Sequence, residues 1–442
     1  GSKPAIATDR SSTQGSVDGS FPARVGDAAL GNRRPAVDVA RILALTVVVL
    51  GHLTIAVVDL DTQGDVRGTN LLTLEPAWRW LAMLAPMPVF FAAAGWANSR
   101  ADLRSSARRL AAVVGTAAVV VVVWSSIVAV TWAVGGNETL VGRGARIATQ
   151  PLWFLAAYVP LAAMGRHVAS LARNHMRPVV VVVVVALVGL DLARFGGDAP
   201  AWIGWACFPL AWGLPWLLGA WWRDRAERGR LNERRAGLAL IAGGTLAAAG
   251  LVAWAGYSVA LIDTGGDARS NTTPPGLYTA AAGVAQVGLL LVGAGWLDRL
   301  GRVHRRWWDA AGSVAIGVYV WHLTALSLMV SLVVVGLPAP DRLTVAWWVT
   351  RPLWWAGVLG LTALLVAATA AGRTRLRRLG RPRPDAHTGR LALGVVVAAT
   401  GSALVGLEGP RDLTLAAACT VAFLAAYRLL RVARMANPTE LP

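Results

Sequence analysis

The chain has 442 residues, of which 55% are hydrophobic and only 15% are charged, and its mean hydropathy is +0.53. Apolar runs of roughly 17–25 residues recur along it, and each is long enough to cross about 30 Å of hydrocarbon as a helix. This composition excludes an ordinary soluble enzyme and predicts an all-α, polytopic integral membrane protein. The net charge of +18 is spread over short loops rather than gathered on a polar domain, so nucleic acid is not expected as a partner.

Residues 1–32 are rich in Ser, Gly, Asp and Ala without a hydrophobic period, which predicts a disordered cytoplasmic tail. A membrane core of about ten helices is predicted for residues 33–371. It is followed by a basic cytoplasmic linker (372–390), two additional spans (391–431) interpreted as an appendage, and a C-terminal tail (432–442). The twelve predicted spans are 36–58, 77–99, 110–133, 151–166, 178–194, 203–222, 236–258, 277–297, 312–335, 346–371, 391–407 and 413–430.

The charge of the connecting loops alternates along the chain, and by the positive-inside rule this places both termini in the cytoplasm. Arginine supplies all but one of the 42 basic residues, which indicates a GC-rich bacterial genome and hence the cytoplasmic (inner) membrane. The stretch "RHVASLARNHMRP" after the short fourth span is predicted to be an interfacial amphipathic helix. The arginine-rich loops are 100–110, 166–177, 223–235, 298–306 and 373–390, whereas 59–76 and 336–342 carry few basic residues.

The first span contains ionisable residues that an apolar helix should exclude. From Arg41 to His52 is eleven residues, about 16 Å of helix, which carries the imidazole to about mid-bilayer. Arg34, Arg41 and His52 project onto one stripe, with Asp38 offset by about 60°. Such a stripe should face the protein interior or a water-filled cavity. The alternative is that the arginines only set the topology and the histidine only bonds a neighbouring helix.

The segment "DVARILALTVVVLGH" (38–52) resembles the opening of the acyltransferase-3 family of integral membrane acyltransferases. Val39-Ala40 stands where the family usually has Gly-Leu, and Ala94 stands where it usually has serine. The resemblance covers roughly residues 33–370. Four further segments are similar to family elements in the expected order: "PVFFAAAGWANS" (88–99), "PLWFLAAY" (151–158), "SNTTPPGLY" (270–278) and "GSVAIGVYVWHL" (312–323).

The resemblance implies an enzyme that moves an acyl group, most commonly acetyl, from cytoplasmic acyl-CoA to a hydroxyl of an envelope glycan, glycolipid or related acceptor. His52 matches the family histidine and is the expected general base, because a group titrating near neutrality suits this proton transfer. Asp38 and Arg41 would brace the site as a buried pair, although a purely structural ion pair is an equal alternative for Asp38. Some relatives carry a soluble esterase-like domain after the core, and none is expected here.

The phosphates of CoA require cationic contacts at the cytoplasmic mouth of such a site. For each arginine the alternative is a role in topology and in contact with anionic membrane lipids. The candidates for binding acetyl-CoA or another short acyl-CoA are Arg34, Arg41, Arg104, Arg108 and Arg109.

Four more residues are candidates for the substrate site. His322, three residues after Tyr319, matches the late family histidine and is either a second polar contact or a packed core residue. Arg351 either touches an anionic acceptor or anchors the outer interface. Asn271 either lines the approach of the acceptor or caps the eighth span.

No metal is expected, because the six histidines are scattered without ligand spacing. Two other functions stay open on the sequence alone. A proton-coupled transporter or flippase of an envelope lipid or small molecule would suit twelve spans and an intramembrane histidine, and a non-catalytic scaffold would need neither. A homodimer or a partner protein of envelope biosynthesis also stays open.

Overall fold

The computed structural model describes residues 1, 33–60, 66–196, 200–262, 271, 274–334, 340–378 and 387–432. Most of the predicted N-terminal tail (2–32), eight residues of the predicted linker (379–386) and the last ten residues (433–442) lie outside this part of the chain. The helices are α1 (Pro35–Ile55), α2 (Leu71–Leu74), α3 (Met87–Asn98), α4 (Leu103–Ala133), α5 (Glu138–Thr149), α6 (Phe154–Ala163), α7 (Gly165–Asn174), α8 (Met176–Gly196), α9 (Cys207–Glu227), α10 (Glu233–Ala255), α11 (Leu277–Val303), α12 (Arg305–Val334), α13 (Val345–Arg378), α14 (Thr388–Leu407) and α15 (Leu413–Leu430). Three 3-10 segments, Pro76–Leu84, Gln150–Trp153 and Ala201–Ala206, precede α3, α6 and α9.

Eleven helical segments of the described residues are long and apolar enough to cross a membrane, and a bent pair would make a twelfth. The prediction of an all-α, multi-pass membrane protein is therefore confirmed. The bent pair is the predicted fourth span, in which Glu138–Ala163 turns by 69° into α7. The bend falls at Gly165, where a Cβ would overlap the carbonyl oxygen of Asn98, so only glycine lets α7 begin this close to α3.

Several of the predicted arginine-rich loops are mostly helical. Helix α11 runs to Val303 and α12 begins at Arg305, so the predicted loop 298–306 shrinks to a turn at His304. Helix α4 begins at Leu103 because the side chain of Asp102 accepts a hydrogen bond from the backbone N–H of Ser105, which caps the helix. The arginines predicted for these loops therefore lie on helix ends.

A β-hairpin follows the first helix, where the sequence predicted three more helical residues and a loop. Helix α1 ends at Ile55, and strand β1 (Ala56–Leu60) pairs antiparallel with β2 (Val66–Asn70), with Ala56 opposite Asn70. The β-branched pair Val57-Val58 favours an extended chain here. Val57 is buried in a small apolar cluster with Leu71 and Trp347, which attaches the hairpin to the start of α13.

Helices α3 and α9 approach each other very closely. A Cβ on Gly95 would overlap the carbonyl oxygen of Trp216, and a Cβ on Gly219 would overlap that of Ala92. Close approach through small residues is a main source of helix association where lipid removes the hydrophobic driving force between helices. Phe91 of α3 then stacks on Trp212 of α9, with ring centroids 5.0 Å apart.

The last two helices pack closely against the rest of the helical bundle. Phe423 and Cys419 of α15 are fully buried within the largest apolar cluster, which also contains residues of α1, α3 and α12. The Ser125 hydroxyl of α4 donates to the carbonyl of Ala416 at 3.1 Å. Helices α14 and α15 are the two additional spans predicted after the family-like core, and they pack against that core.

Candidate active site

Two histidines from helices distant in sequence meet inside the helical bundle. Nδ1 of His52, in α1, lies 2.9 Å from Nε2 of His322, in α12. The two rings stack with centroids 5.1 Å apart and planes 7° apart. His322 is fully buried, and His52 is partly buried between Val49 and Leu53, which are buried. A residue that only packed in the core would not make this polar contact, so His322 does more than fill space.

Backbone geometry determines which nitrogen of His322 carries its proton. Nδ1 of His322 lies 2.6 Å from the carbonyl oxygen of Tyr319, one turn earlier on α12. A carbonyl oxygen only accepts, so this nitrogen must be the donor. In a neutral imidazole the other nitrogen, Nε2, is then an acceptor, and it accepts the Nδ1–H of His52. His52 is thereby left with an unprotonated Nε2.

This chain of hydrogen bonds gives His52 the properties of an oriented base. A base whose ring is fixed by a partner on its second nitrogen is the arrangement that proton-abstracting histidines use. Here the partner is a neutral histidine rather than a carboxylate, so the pair holds no net charge in the bundle. Proton uptake at Nε2 of His52 leaves the bond to His322 in place, because Nδ1 of His52 stays a donor.

The pair is supported by aromatic packing and by one cross-helix hydrogen bond. The Tyr319 ring meets Phe154 edge to face at 5.0 Å, and Phe154 meets Phe90 in the same way at 5.9 Å. Thr324 lies two residues after His322. Its hydroxyl accepts a hydrogen bond from the indole N–H of Trp124, in α4, at 3.1 Å. These contacts hold α12 against α4 and α6, so the position of His322 is fixed from two sides.

Asp38 and Arg41 form the predicted pair, but not beside His52. The Arg41 guanidinium donates to the Asp38 carboxylate at 3.3 Å, and their side chains are 32% and 26% exposed. The pair is thus partly exposed rather than buried, and eleven residues, about 16 Å of helix, separate Arg41 from His52. Arg34 immediately precedes the first residue of α1, so the helical stripe argument does not extend to it.

The family model described as the acyltransferase domain matches residues 34–372. The chain belongs to the acyltransferase-3 family. Comparison with curated proteins and with solved structures finds no match. The matched region runs from α1 through most of α13 and contains both His52 and His322, whereas α14 and α15 lie beyond it. The protein is therefore a multi-pass membrane acyltransferase, and the family match gives no support to the transporter or scaffold alternatives.

The three α4 arginines of this acyltransferase, Arg104, Arg108 and Arg109, are exposed on the first two turns of that helix. The turn before them is attached to α9, because Arg100 and Arg223 both bind the carboxylate of Glu227, at 2.6 and 2.8 Å. Arg223 is 6% exposed and also donates to the carbonyl of Trp96. Sequence reasoning did not single out Arg223, although its four-residue spacing from Glu227 was visible.

Asn271 is buried and holds the connection between α10 and α11. Its amide nitrogen donates to the carbonyls of Ser258 and Ala260, at 2.6 and 2.9 Å. Its side chain does not cap α11. That role falls to Asp191 of α8, whose carboxylate accepts from the backbone N–H of Leu277 at 2.7 Å.

Asp191 is a second residue that sequence reasoning missed. It is 2% exposed, and its carboxylate also accepts from the Tyr257 hydroxyl at 2.8 Å and faces Arg194 at 3.5 Å. An aspartate late in a run of valines was the available signal, since ionisable residues in a span are expensive unless they are paired. Through these contacts Asp191 links α8 to the start of α11 and to the loop before α11.

Arg351 lies in α13 and is 9% exposed, between the rings of Trp347 and Trp354. This burial does not suit an interfacial anchor, whose charged end should reach the headgroups.

Among the residues that the structure describes, no group of three or more His, Cys, Asp or Glu side chains is arranged to hold a metal ion.

Proposed function

We propose that this acyltransferase moves an acetyl or other short acyl group from cytoplasmic acyl-CoA to a hydroxyl of an envelope glycan, glycolipid or related acceptor, with His52 as general base. The observation that supports the proposal is the hydrogen-bonded chain from the Tyr319 carbonyl through His322 to His52. It leaves an unprotonated nitrogen on His52, which lies in the last turn of α1.

The reaction follows from that nitrogen. Nε2 of His52 takes the proton of the acceptor hydroxyl as its oxygen attacks the thioester carbonyl carbon. The C–S bond then breaks, the acyl group stays on the acceptor oxygen, and the proton passes from His52 to the departing sulfur to give CoA with a free thiol. A base positioned in this way contributes about 10²–10⁴-fold to the rate.

The arginines supply the contacts that the donor needs. Arg104, Arg108 and Arg109 present exposed guanidinium groups at the start of α4, and Arg34 and Arg41 lie at the start of α1. With both termini in the cytoplasm of a bacterial inner membrane, both helix starts lie on the cytoplasmic side, where acyl-CoA is found. Asp38 holds the Arg41 guanidinium in place there, so Asp38 and Arg41 position the donor rather than the reacting hydroxyl.

The test is thiol release from acetyl-CoA by the purified protein with an envelope glycolipid extract. His52→Ala should lower the rate by about 10²–10⁴-fold, because the acceptor hydroxyl loses its base. His167→Ala is the matched control, since His167 is exposed on α7. Release that persists in the His52 variant would remove His52 from the chemistry, and failure of the wild type to bind or turn over any acyl-CoA would contradict the proposed donor.

A further inference from the structure

Arg351 lies on the one buried stripe of an otherwise exposed helix. Most of α13 faces outward, as shown by Val349 at 72% and Leu353 at 76% exposure. Arg351 shares its face with side chains that are almost completely buried, so the guanidinium points into the protein. The buried stripe consists of Trp347 (2% exposed), Arg351 (9%), Val358 (0%) and Thr362 (1%).

The charge of Arg351 is not balanced by the described part of the chain. No described carboxylate forms an ion pair with it, and its Nε atom is buried without a hydrogen-bond partner. The guanidinium carbon lies 4.1 Å from the ring centroid of Trp347 and 5.4 Å from that of Trp354. Aromatic faces attract a cation but carry no net charge. An unpaired charge inside a membrane protein is expensive and marks a site for a substrate or ion.

Two more unsatisfied donors accompany this cation. The indole nitrogens of Trp354 and Trp355 are buried, and neither finds an acceptor among the described residues. They lie three and four residues after Arg351, so all three groups project from the same side of α13. Three of the seven buried side-chain atoms without partners in the described chain thus fall within five residues. All three are N–H donors.

The site lies on the side of the histidine pair away from Asp38 and Arg41. Helices α12 and α13 run antiparallel, with Gly317 against Val366 and Gly357 against Met329. Arg351 therefore lies beyond His322 in the direction in which α12 and α1 both end. One turn further on, Trp347 packs with Val57 of the hairpin. Under the proposed topology this is the outer side, from which an envelope acceptor arrives.

We propose that Arg351, Trp354 and Trp355 bind an oxyanion of the acceptor, a phosphate or a carboxylate, and hold it on the outer side of the His52–His322 pair. This inference rests on the proposed function. An oxyanion offers only acceptors, which matches a set of groups that only donate, and it neutralises the guanidinium, which a sugar hydroxyl does not. Arg351 is a binding residue here, because the acceptor hydroxyl that reacts gives its proton to His52 and not to Arg351.

The kinetic test separates the envelope glycolipid extract by anion exchange into a neutral and an anionic fraction, and each is offered with acetyl-CoA. Wild-type protein should acylate the anionic fraction. Arg351→Gln should raise the KM for that fraction by at least about tenfold, because a charge-assisted bond is lost, and should leave the KM for acetyl-CoA unchanged. Arg342→Gln is the control, since Arg342 is exposed near the start of the same helix. Acylation of the neutral fraction alone, or an unchanged KM in the Arg351 variant, would overturn the proposal.

A binding test does not depend on turnover. In a neutral detergent, dodecyl phosphate should raise the Tm of the wild-type protein and of Arg342→Gln but not of Arg351→Gln, whereas dodecyl maltoside should raise none of them. Absence of an Arg351-dependent shift overturns the site even if acyl transfer is observed. A shift without any acyl transfer would support the site and count against the proposed function instead.

Two further arms cover folding and the source of the anion. Trp355→Phe keeps an aromatic ring at this position and removes the indole N–H, so it should raise the KM several-fold even if Arg351→Gln does not fold. Nanodiscs of phosphatidylglycerol and of phosphatidylcholine distinguish acceptor from lipid. An Arg351-dependent gain in Tm from phosphatidylglycerol, with no effect of Arg351→Gln on the KM for the anionic fraction, would assign the site to a lipid headgroup and overturn its assignment to the acceptor.

Discussion

The His52–His322 pair differs from the more familiar acid–base histidines in the charge of its partner. A carboxylate in this position would need compensation inside an apolar bundle, where an unpaired ion is costly. His322 avoids that cost because it is neutral and satisfies its own Nδ1–H with the Tyr319 carbonyl. One backbone oxygen therefore sets the tautomers of two side chains.

Replacing His322 tests this role. His322→Ala removes the acceptor for the Nδ1–H of His52 and should lower kcat by about ten- to a hundredfold, the range for partners that orient a functional ligand. His322→Gln offers an amide oxygen in its place and should recover a large part of kcat. Steady-state measurement of kcat and of both KM values checks this.

The KM values separate positioning from structure in that experiment. Loss of orientation should affect kcat with little change in either KM. Equal losses in the Ala and Gln variants, accompanied by equal losses in Tm, would show that His322 only packs.

At the scale of elements, the close approach of two helices excludes any side chain larger than that of glycine from the positions where their backbones meet. Helices α3 and α9 touch through Gly95 and Gly219, and Phe90 of α3 meets Phe154, which supports the histidine pair through Tyr319. The hairpin after α1 and the turn at Gly165 are two further places where local geometry departs from a plain sequence of spans. Each depends on a contact with a neighbouring element, which the hydropathy of its own segment does not show.

Gly219→Ala should destabilise the protein, because its methyl group would overlap the Ala92 carbonyl. Overpacking of this kind costs about 1–3 kcal/mol. The Tm in detergent should fall accordingly. Gly243→Ala on α10 is the matched control, since a Cβ there meets no other atom within 4 Å. Equal Tm values for Gly219→Ala and Gly243→Ala would contradict this prediction.

At the scale of the whole molecule, the family match and the packing unit have different extents. The match ends at residue 372, whereas the packed helices continue through α15 to Leu430. Arg390 at the start of α14 donates to the carbonyls of Leu429 and Arg431 at the end of α15, which joins the two helices to each other. Phe423 joins them to the rest. Helices α14 and α15 are therefore expected to contribute to the stability of the catalytic part.

Phe423→Ala measures that contribution. Phe423 is fully buried in the main cluster, and removing such a ring costs about 3–5 kcal/mol. Both Tm and acyl transfer measured at raised temperature should fall. Val421→Ala on the same helix should do neither, because Val421 is 67% exposed. A Phe423 variant as stable as the wild type would contradict a contribution of α14 and α15 to the stability of the protein.

The amino-acid sequence by itself determined the membrane class, the positions of the spans and the presence of His52 within the first of them. It could do so because the backbone N–H and C=O groups of a chain in lipid must form hydrogen bonds within their own segment. Each long apolar run is therefore predicted to be a helix. The ordered family segments, from the first span to "GSVAIGVYVWHL", also pointed to the acyltransferase family that the family model confirms.

Only the tertiary structure decided which polar residues meet. His52 and His322 lie 270 positions apart and bond through the packing of α1 on α12, while Asp38 and Arg41, which share a helix with His52, stay at its far end. Hydropathy likewise does not say which face of α13 turns inward, so Arg351 could equally have been an interfacial anchor. Helix rise and hydrophobicity are local quantities that a sequence carries directly. Rotation and pairing of helices depend on how many side chains from several helices fit together at once, and this fit exists only in the folded bundle.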